Sequence, residues 1–161
     1  MTAPEEPHGG RRTIRLRLLR PVYSREVVRE CAPDYLSAHH YTSPAQVYEL
    51  FRDLSRESKE NFICLHLDAK HKLLCFDRVA VGTLDGSLVH PREVFKGALL
   101  SSAASVILLH NHPSGDPKPS AEDREVTRKL VEAGRLLGVP VLDHVIIGES
   151  SYYSFRETGE L

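Results

Sequence analysis

VILLHNHPSGDPKPSAEDREVTRKLVEAGRLL, residues 106–137, is the stretch whose reading decides the fold. Val106 to His110 is an uninterrupted apolar run ending in a histidine, the pattern of a strand buried on both faces. It passes into Asn111 to Pro119, a loop stiffened by three prolines and one glycine. Ser120 then opens a helix to about Leu137, closed by Gly138-Val139-Pro140. Asp123, Val126, Leu130, Gly134 and Leu137 fall on one face of that helix, so Asp123 points inward with the apolar stripe.

Working outward, Val141 to Ile147 supplies another strand and Tyr152 to Phe155 a short last one. Upstream, Phe62 to Leu67 and Leu73 to Val81 are apolar runs around a polar turn, an antiparallel pair that Gly82 closes. Pro91 opens a helix with Val94, Phe95, Ala98 and Leu99 as its apolar stripe. Ser43-Pro44-Ala45-Gln46 announces an earlier helix running to about Ser58, with Ser43 as cap, Pro44 at the first helical position and Gln46 completing a capping box. This order predicts an α/β fold: a mixed β-sheet flanked by helices, with the 43–58 and 120–137 helices on opposite faces. Residues 43–161 form the domain. Residues 1–42 are an N-terminal extension whose first ten residues are a disordered lead.

The 161 residues suffice for one domain of ordinary size. A hydrophobic share of 41% against 27% charged residues excludes a disordered or fibrous chain. No apolar run approaches the ~20 residues of a membrane span, and Met1 to Gly10 lacks the apolar core of a secretory signal, which predicts a cytoplasmic protein without membrane association. Cys31, Cys64 and Cys75, without CxxC spacing, read as reduced structural thiols. A net charge of −1 provides no general attraction to nucleic acid. Only Arg11, Arg12, Arg15, Arg17 and Arg20 concentrate positive charge. Arg15 and Arg17 alternate with Ile14, Leu16 and Leu18, which predicts a strand edge over residues 13–20, and any nucleic-acid contact through the Arg11–Arg20 arm is expected to be weak.

The chemistry sits where the central strand ends. His110 and His112, two apart on an extended chain, project to the same side about 6.6 to 6.8 Å apart along it. Asp123, one turn into the next helix and facing the sheet, adds a carboxylate. Two imidazoles and one carboxylate leave a fourth position for water, the pattern of a catalytic zinc ion, which lowers the pKa of bound water from 15.7 toward about 7. Taken alone, Ser120 to Asp123 is also what a helix cap requires, and His-x-His is a frequent chance match. The joint spacing across strand, stiff loop and helix favours the metal.

At these residues the chain resembles a known family. His110-x-His112, seven residues, Ser120, two residues and Asp123 have the spacing of the JAMM motif of JAB/MPN metalloproteases. HNHPSGDPKPS (residues 110–120) and LDHVIIG (142–148) resemble its bacterial RadC-like branch, and the resemblance extends over about residues 43–148, including VGTLDGSLVHPREVFKGAL (81–99). It implies a JAB1/MPN-like layered fold of the cytidine-deaminase kind and one Zn2+ per chain on His110, His112 and Asp123. It implies further that Ser120 stabilises the tetrahedral intermediate and that a glutamate acts as general base. That glutamate is Glu60, preceding Phe62-Ile63-Cys64-Leu65 as the family pattern has it, or Glu57 one turn earlier. His90, Ser114 and Asp143-His144 also match the branch, and His144 could support a ligand from behind. No N-terminal helix-hairpin-helix module is visible, which weakens any inherited role on DNA.

The resulting expectation is a zinc-dependent metallopeptidase or isopeptidase acting on a peptide or protein. A DNA-repair-associated or non-catalytic interaction module that keeps the fold is the alternative. An HNH nuclease spreads its three letters over a larger unit, and a zinc deaminase needs H-x-E and P-C-x-x-C, which are absent.

Overall fold

The computed structural model describes residues 17–26, 40–82 and 89–161. Five strands form one sheet: β1 (Glu60–Leu67), β2 (Leu73–Gly82), β3 (Ser105–Asn111), β4 (Val141–Ile147) and β5 (Tyr152–Ser154), in the order β2-β1-β3-β4-β5. Of these neighbours, only β3 and β4 run parallel. A parallel pair requires a crossover, here helix α3 (Ala121–Leu137), following α1 (Pro44–Phe51) and α2 (Pro91–Leu100).

Period-two alternation assigns the two cores. On one face, Phe62 and Cys64 of β1 and Val106 and Leu108 of β3 pack under Val94, Phe95 and Ala98 of α2 and Val126 and Leu130 of α3. On the other, Ile63, Leu65, Ile107, Leu109 and Val145 pack under Val47 and Phe51 of α1. Every residue of β3 is buried, as its unbroken apolar run predicts. The mixed sheet with helices on both faces is thus the architecture expected from the order of elements.

The C-terminal end of α3 depends on two glycines. Gly138 caps it in the left-handed conformation, φ 70°, donating back to the Arg135 and Gly134 carbonyls. A Cβ at Gly134 would lie 2.6 Å from the Val139 oxygen and 3.0 Å from the Phe95 ring, so a side chain there would push α3 off α2.

Several boundaries differ from expectation. The first helix stops being α-helical at Phe51 and continues as a 3-10 turn over Arg52–Arg56, short of Ser58. Phe51 and Leu54 are both buried, and the 3-10 turn, in which residues three apart eclipse, continues the inward face of α1. Leu99 and Leu137, expected on the inward stripes, are exposed instead. The expected strand at 13–20 is corrected over 17–20, which carry no regular structure and are exposed; residues 13–16, like Arg11, Arg12 and Cys31, lie outside the described residues. Alternation prepares a strand, but ladder hydrogen bonds must complete it.

Candidate metal centre

His110 and His112 stand at the C-terminal end of β3, on the face covered by α3. His110 continues the inward row of Val106 and Leu108 and pairs in register with Phe62 of β1 and Ile146 of β4. Asp123, the third residue of α3, is buried beneath them. His110 Nε2 lies 3.0 Å from His112 Nε2, Asp123 Oδ1 is 3.2 Å from His110 Nε2, and Asp123 Oδ2 is 3.3 Å from His112 Nε2. Tetrahedral ligands about 2.0 to 2.1 Å from an ion are separated by roughly 3.3 Å, so this triangle fits a zinc-sized cation. The three residues could hold a metal ion, as their side-chain chemistry anticipates.

The electrostatics agree with a cluster built around positive charge. Burial pushes the Asp123 carboxyl upward, but its contacts with His110 and His112 outweigh that and hold it far below the carboxylate range. Burial depresses His110 despite Asp123, whereas the Asp123 contact raises the half-buried His112. His144 is driven well down by burial and by His110, against a raising effect of Asp123.

Each of these side chains is held from behind. His112 Nδ1 is 2.7 Å from the Asp116 carbonyl. A carbonyl can only accept, so Nδ1 carries the proton and Nε2 keeps its lone pair toward the centre. The proline-rich loop supplies that carbonyl through a turn in which Gly115 N donates to His112 O, with Gly115 at φ 83°. The loop lies against Gly148, where a Cβ would sit 2.6 Å from the Gly115 oxygen. Ser120 is the N-cap of α3 in a closed capping box: its Oγ accepts from Asp123 N at 3.0 Å, while its N and Oγ each donate to Asp123 Oδ2 at 2.7 Å. Ser120 therefore caps the helix and fixes the carboxylate at once.

Glu60 begins β1 on the same face as Phe62, and with His112, Pro113, Ser114, Ser120, Glu122 and Asp123 it lines a cleft of about 330 Å³. Glu57, exposed on extended chain just after the 3-10 turn, does not line it. Ser114 is on the exposed rim, its Oγ accepting from Asp116 N. His144 is buried behind His110 instead of in the cleft, and His90 precedes α2. Asp143 acts away from the cleft. Tyr41 Oη, Ser154 Oγ and the His144 and Arg156 amides all donate to its carboxylate, tying β4 to β5 and to the chain before α1.

The model of the RadC-like JAB domain matches residues 41–160. The chain belongs to this family. Among relatives of the RadC-like JAB domain, a UPF0758 protein of Methanosarcina acetivorans is 57% identical over 118 residues, which are 73% of this chain and 52% of the relative. One from Trichlorobacter lovleyi is 54% identical over 122 residues, 75% and 53% of the two chains. One from Halalkalibacterium halodurans is 57% identical over 104 residues, 65% and 45%. The chain thus spans about half the length of the curated relatives it matches. Among the described residues, no helix is long and apolar enough to cross a membrane.

One residue of the RadC-like JAB site is missed by reading HNH as two ligands and a spacer. Asn111 points away from the metal face and grips the backbone on both sides of Glu60: its Oδ1 accepts from Asn61 N at 2.8 Å and its Nδ2 donates to Lys59 O at 3.1 Å. A polar residue inside a buried strand was the available signal. Asn111→Leu keeps the volume but leaves the Asn61 amide without its acceptor, at a cost of about 1 to 3 kcal/mol. We expect a thermal midpoint lower by several degrees with zinc affinity nearly unchanged. A variant as stable as the parent would show that the grip contributes nothing.

Proposed function

We propose that this RadC-like JAB domain is a zinc-dependent hydrolase acting on peptide or isopeptide bonds. The observation that carries the reading is the His110–His112–Asp123 triangle, opening on the cleft that Glu60 and Ser120 also line. Zinc bound there would supply water activation and polarisation of the scissile carbonyl.

This chain's residues account for the remaining work. Asp116 and Ser120 hold His112 and Asp123 in orientations suitable for ligation. Glu60 accepts the proton of the attacking water on its carboxylate and delivers it to the leaving amine. The Ser120 hydroxyl, directed at Asp123 Oδ2, turns toward the carbonyl oxygen as negative charge develops there. Purified protein should contain about one zinc per chain and lose peptide or isopeptide hydrolysis on chelation, regaining it with added zinc. Zinc binding without hydrolysis of any peptide or isopeptide substrate would instead favour a non-catalytic interaction module.

Nucleic-acid contact, as we infer it, is confined to the Arg11–Arg20 arm and is weak and salt-dependent, since positive charge is concentrated only there. Deleting residues 1–20 should abolish binding to duplex DNA in a titration at low salt. Nanomolar, sequence-specific binding that survives the deletion would overturn this inference.

A further inference from the structure

Behind His110, on the side away from the cleft, two buried residues continue a chain of short contacts. His110 Nδ1 is 2.8 Å from His144 Nε2, His144 Nδ1 is 2.6 Å from Thr127 Oγ1, and Thr127 Oγ1 is 2.6 Å from the Asp123 carbonyl oxygen. Each contact needs one proton. A neutral imidazole carries one N–H and threonine one O–H, so the two histidine contacts can be filled in only two ways, the first of which leaves the Thr127–Asp123 carbonyl contact without a proton.

In the first filling, Thr127 donates to His144 Nδ1. His144 then offers Nε2–H to His110 Nδ1, and the proton of His110 is forced onto Nε2. That atom faces His112 and Asp123, and once protonated it cannot ligate a cation. In the second filling, Thr127 donates to the Asp123 carbonyl, which has no proton to give. His144 then donates Nδ1–H to Thr127 and accepts Nδ1–H from His110, which leaves His110 Nε2 with its lone pair. Only the second filling makes a ligand of His110. It reproduces through two intermediaries what the Asp116 carbonyl does for His112 directly.

The ring in the middle is held in place. His144 stacks on Phe155, centroids 5.1 Å apart and planes 11° apart, and meets Phe62 edge-on at 5.4 Å. Thr127 is one helical turn beyond Asp123, so a single helix carries both a ligand and the end of the chain that orients another.

We propose that Thr127 and His144 are positioning residues that hold His110 in its metal-ligating tautomer and thereby set the zinc affinity of the centre. The inference rests on the reading of His110, His112 and Asp123 as zinc ligands. Thr127 carries no signal in the sequence, where a threonine on an inward helical stripe passes for core.

The test is zinc affinity, measured by competition with a chromogenic chelator, for the full chain and for Thr127→Val, Thr127→Ser, His144→Phe and the Val/Phe double variant. Thr127→Val keeps shape and removes the hydroxyl; His144→Phe keeps the stacked ring and removes both nitrogens. Each single variant should bind zinc about 10- to 100-fold more weakly. Thr127→Ser should recover most of the affinity. The double variant should be no weaker than the weaker single one, because a chain broken once is already broken. In the zinc-loaded, 15N-labelled parent protein, His110 and His144 should each show a slowly exchanging Nδ1–H, and the His144 signal should be lost or shifted in Thr127→Val. Parent-like affinity in Thr127→Val, failure of Thr127→Ser to rescue, or additive losses in the double variant would overturn the proposal while leaving the zinc reading intact. Absence of specific zinc binding in the parent protein itself would overturn the zinc reading and this inference with it. Thermal melts of every variant separate unfolding from loss of affinity.

Discussion

His110→Ala, His112→Ala and Asp123→Ala are each expected to abolish stoichiometric zinc binding. Each removes one of three protein ligands, and two cannot hold the ion against competing chelators. The loss should exceed the ~10- to 100-fold typical of outer hydrogen-bond partners, so His144→Ala is the internal comparison and should be the milder change. Asp123→Ala also breaks the capping box with Ser120, at a cost of about 1 kcal/mol. Asp123→Asn therefore belongs in the set: the amide oxygen still accepts from Ser120, whereas the anionic ligand is gone. Elemental analysis after dialysis against zinc, with melting curves alongside, decides the matter. Zinc retained at parent levels by any of the four ligand variants would remove that residue from the centre, and a parent protein with no specific zinc would end the metal reading.

The parts of the site that are legible in sequence are those encoded by local periodicity. Two histidines at spacing two on a buried strand must share a side, and Asp123 on the inward stripe of a capped helix must face the sheet, so the ligand triangle follows from two periods and one stiff loop. In sequence, the capping reading and the metal reading of Ser120 and Asp123 compete. The structure has room for both, since Asp123 presents Oδ2 to Ser120 and His112 and Oδ1 to His110.

What stays hidden depends on contacts between residues far apart in the chain. Asn111 reaches the backbone around Glu60 some 50 residues upstream, and nothing local in HNH announces which backbone will lie across from it. The same holds for the His144–Thr127 contact and for the Tyr41, Ser154 and Arg156 donors around Asp143. The early end of the first helix has a related cause. Local propensity favours helix through Ser58, but the chain tightens to a 3-10 turn over Arg52–Arg56 with Leu54 buried, and tertiary packing prevails. At 17–20 the alternation of residues 14–18 has given way to Leu18-Leu19 and no ladder forms, and a strand exists only where a partner strand completes its hydrogen bonds.

Glu60→Gln should retain zinc and lose hydrolysis by ~10²- to 10⁴-fold, the usual share of a general base. The amide preserves shape and hydrogen bonding around the first residue of β1 and removes only the ability to take a proton from water. Geometry separates it from its rival: Glu60 lines the cleft with His112, Ser120 and Asp123, whereas Glu57 is exposed beyond the 3-10 turn. Glu57→Gln should therefore leave turnover close to the parent under identical zinc loading. Ser120→Ala should slow turnover by ~10²- to 10³-fold, comparable to loss of one oxyanion donor. Because Ser120 also caps α3 and holds Asp123 Oδ2, its zinc affinity and melting temperature must be measured beside its rate. If Glu57→Gln carries the loss, the base lies three residues earlier and the mechanism stands. If neither glutamate matters while zinc remains essential, no proton passes through this part of the cleft, and the shuttle assigned to Glu60 is wrong.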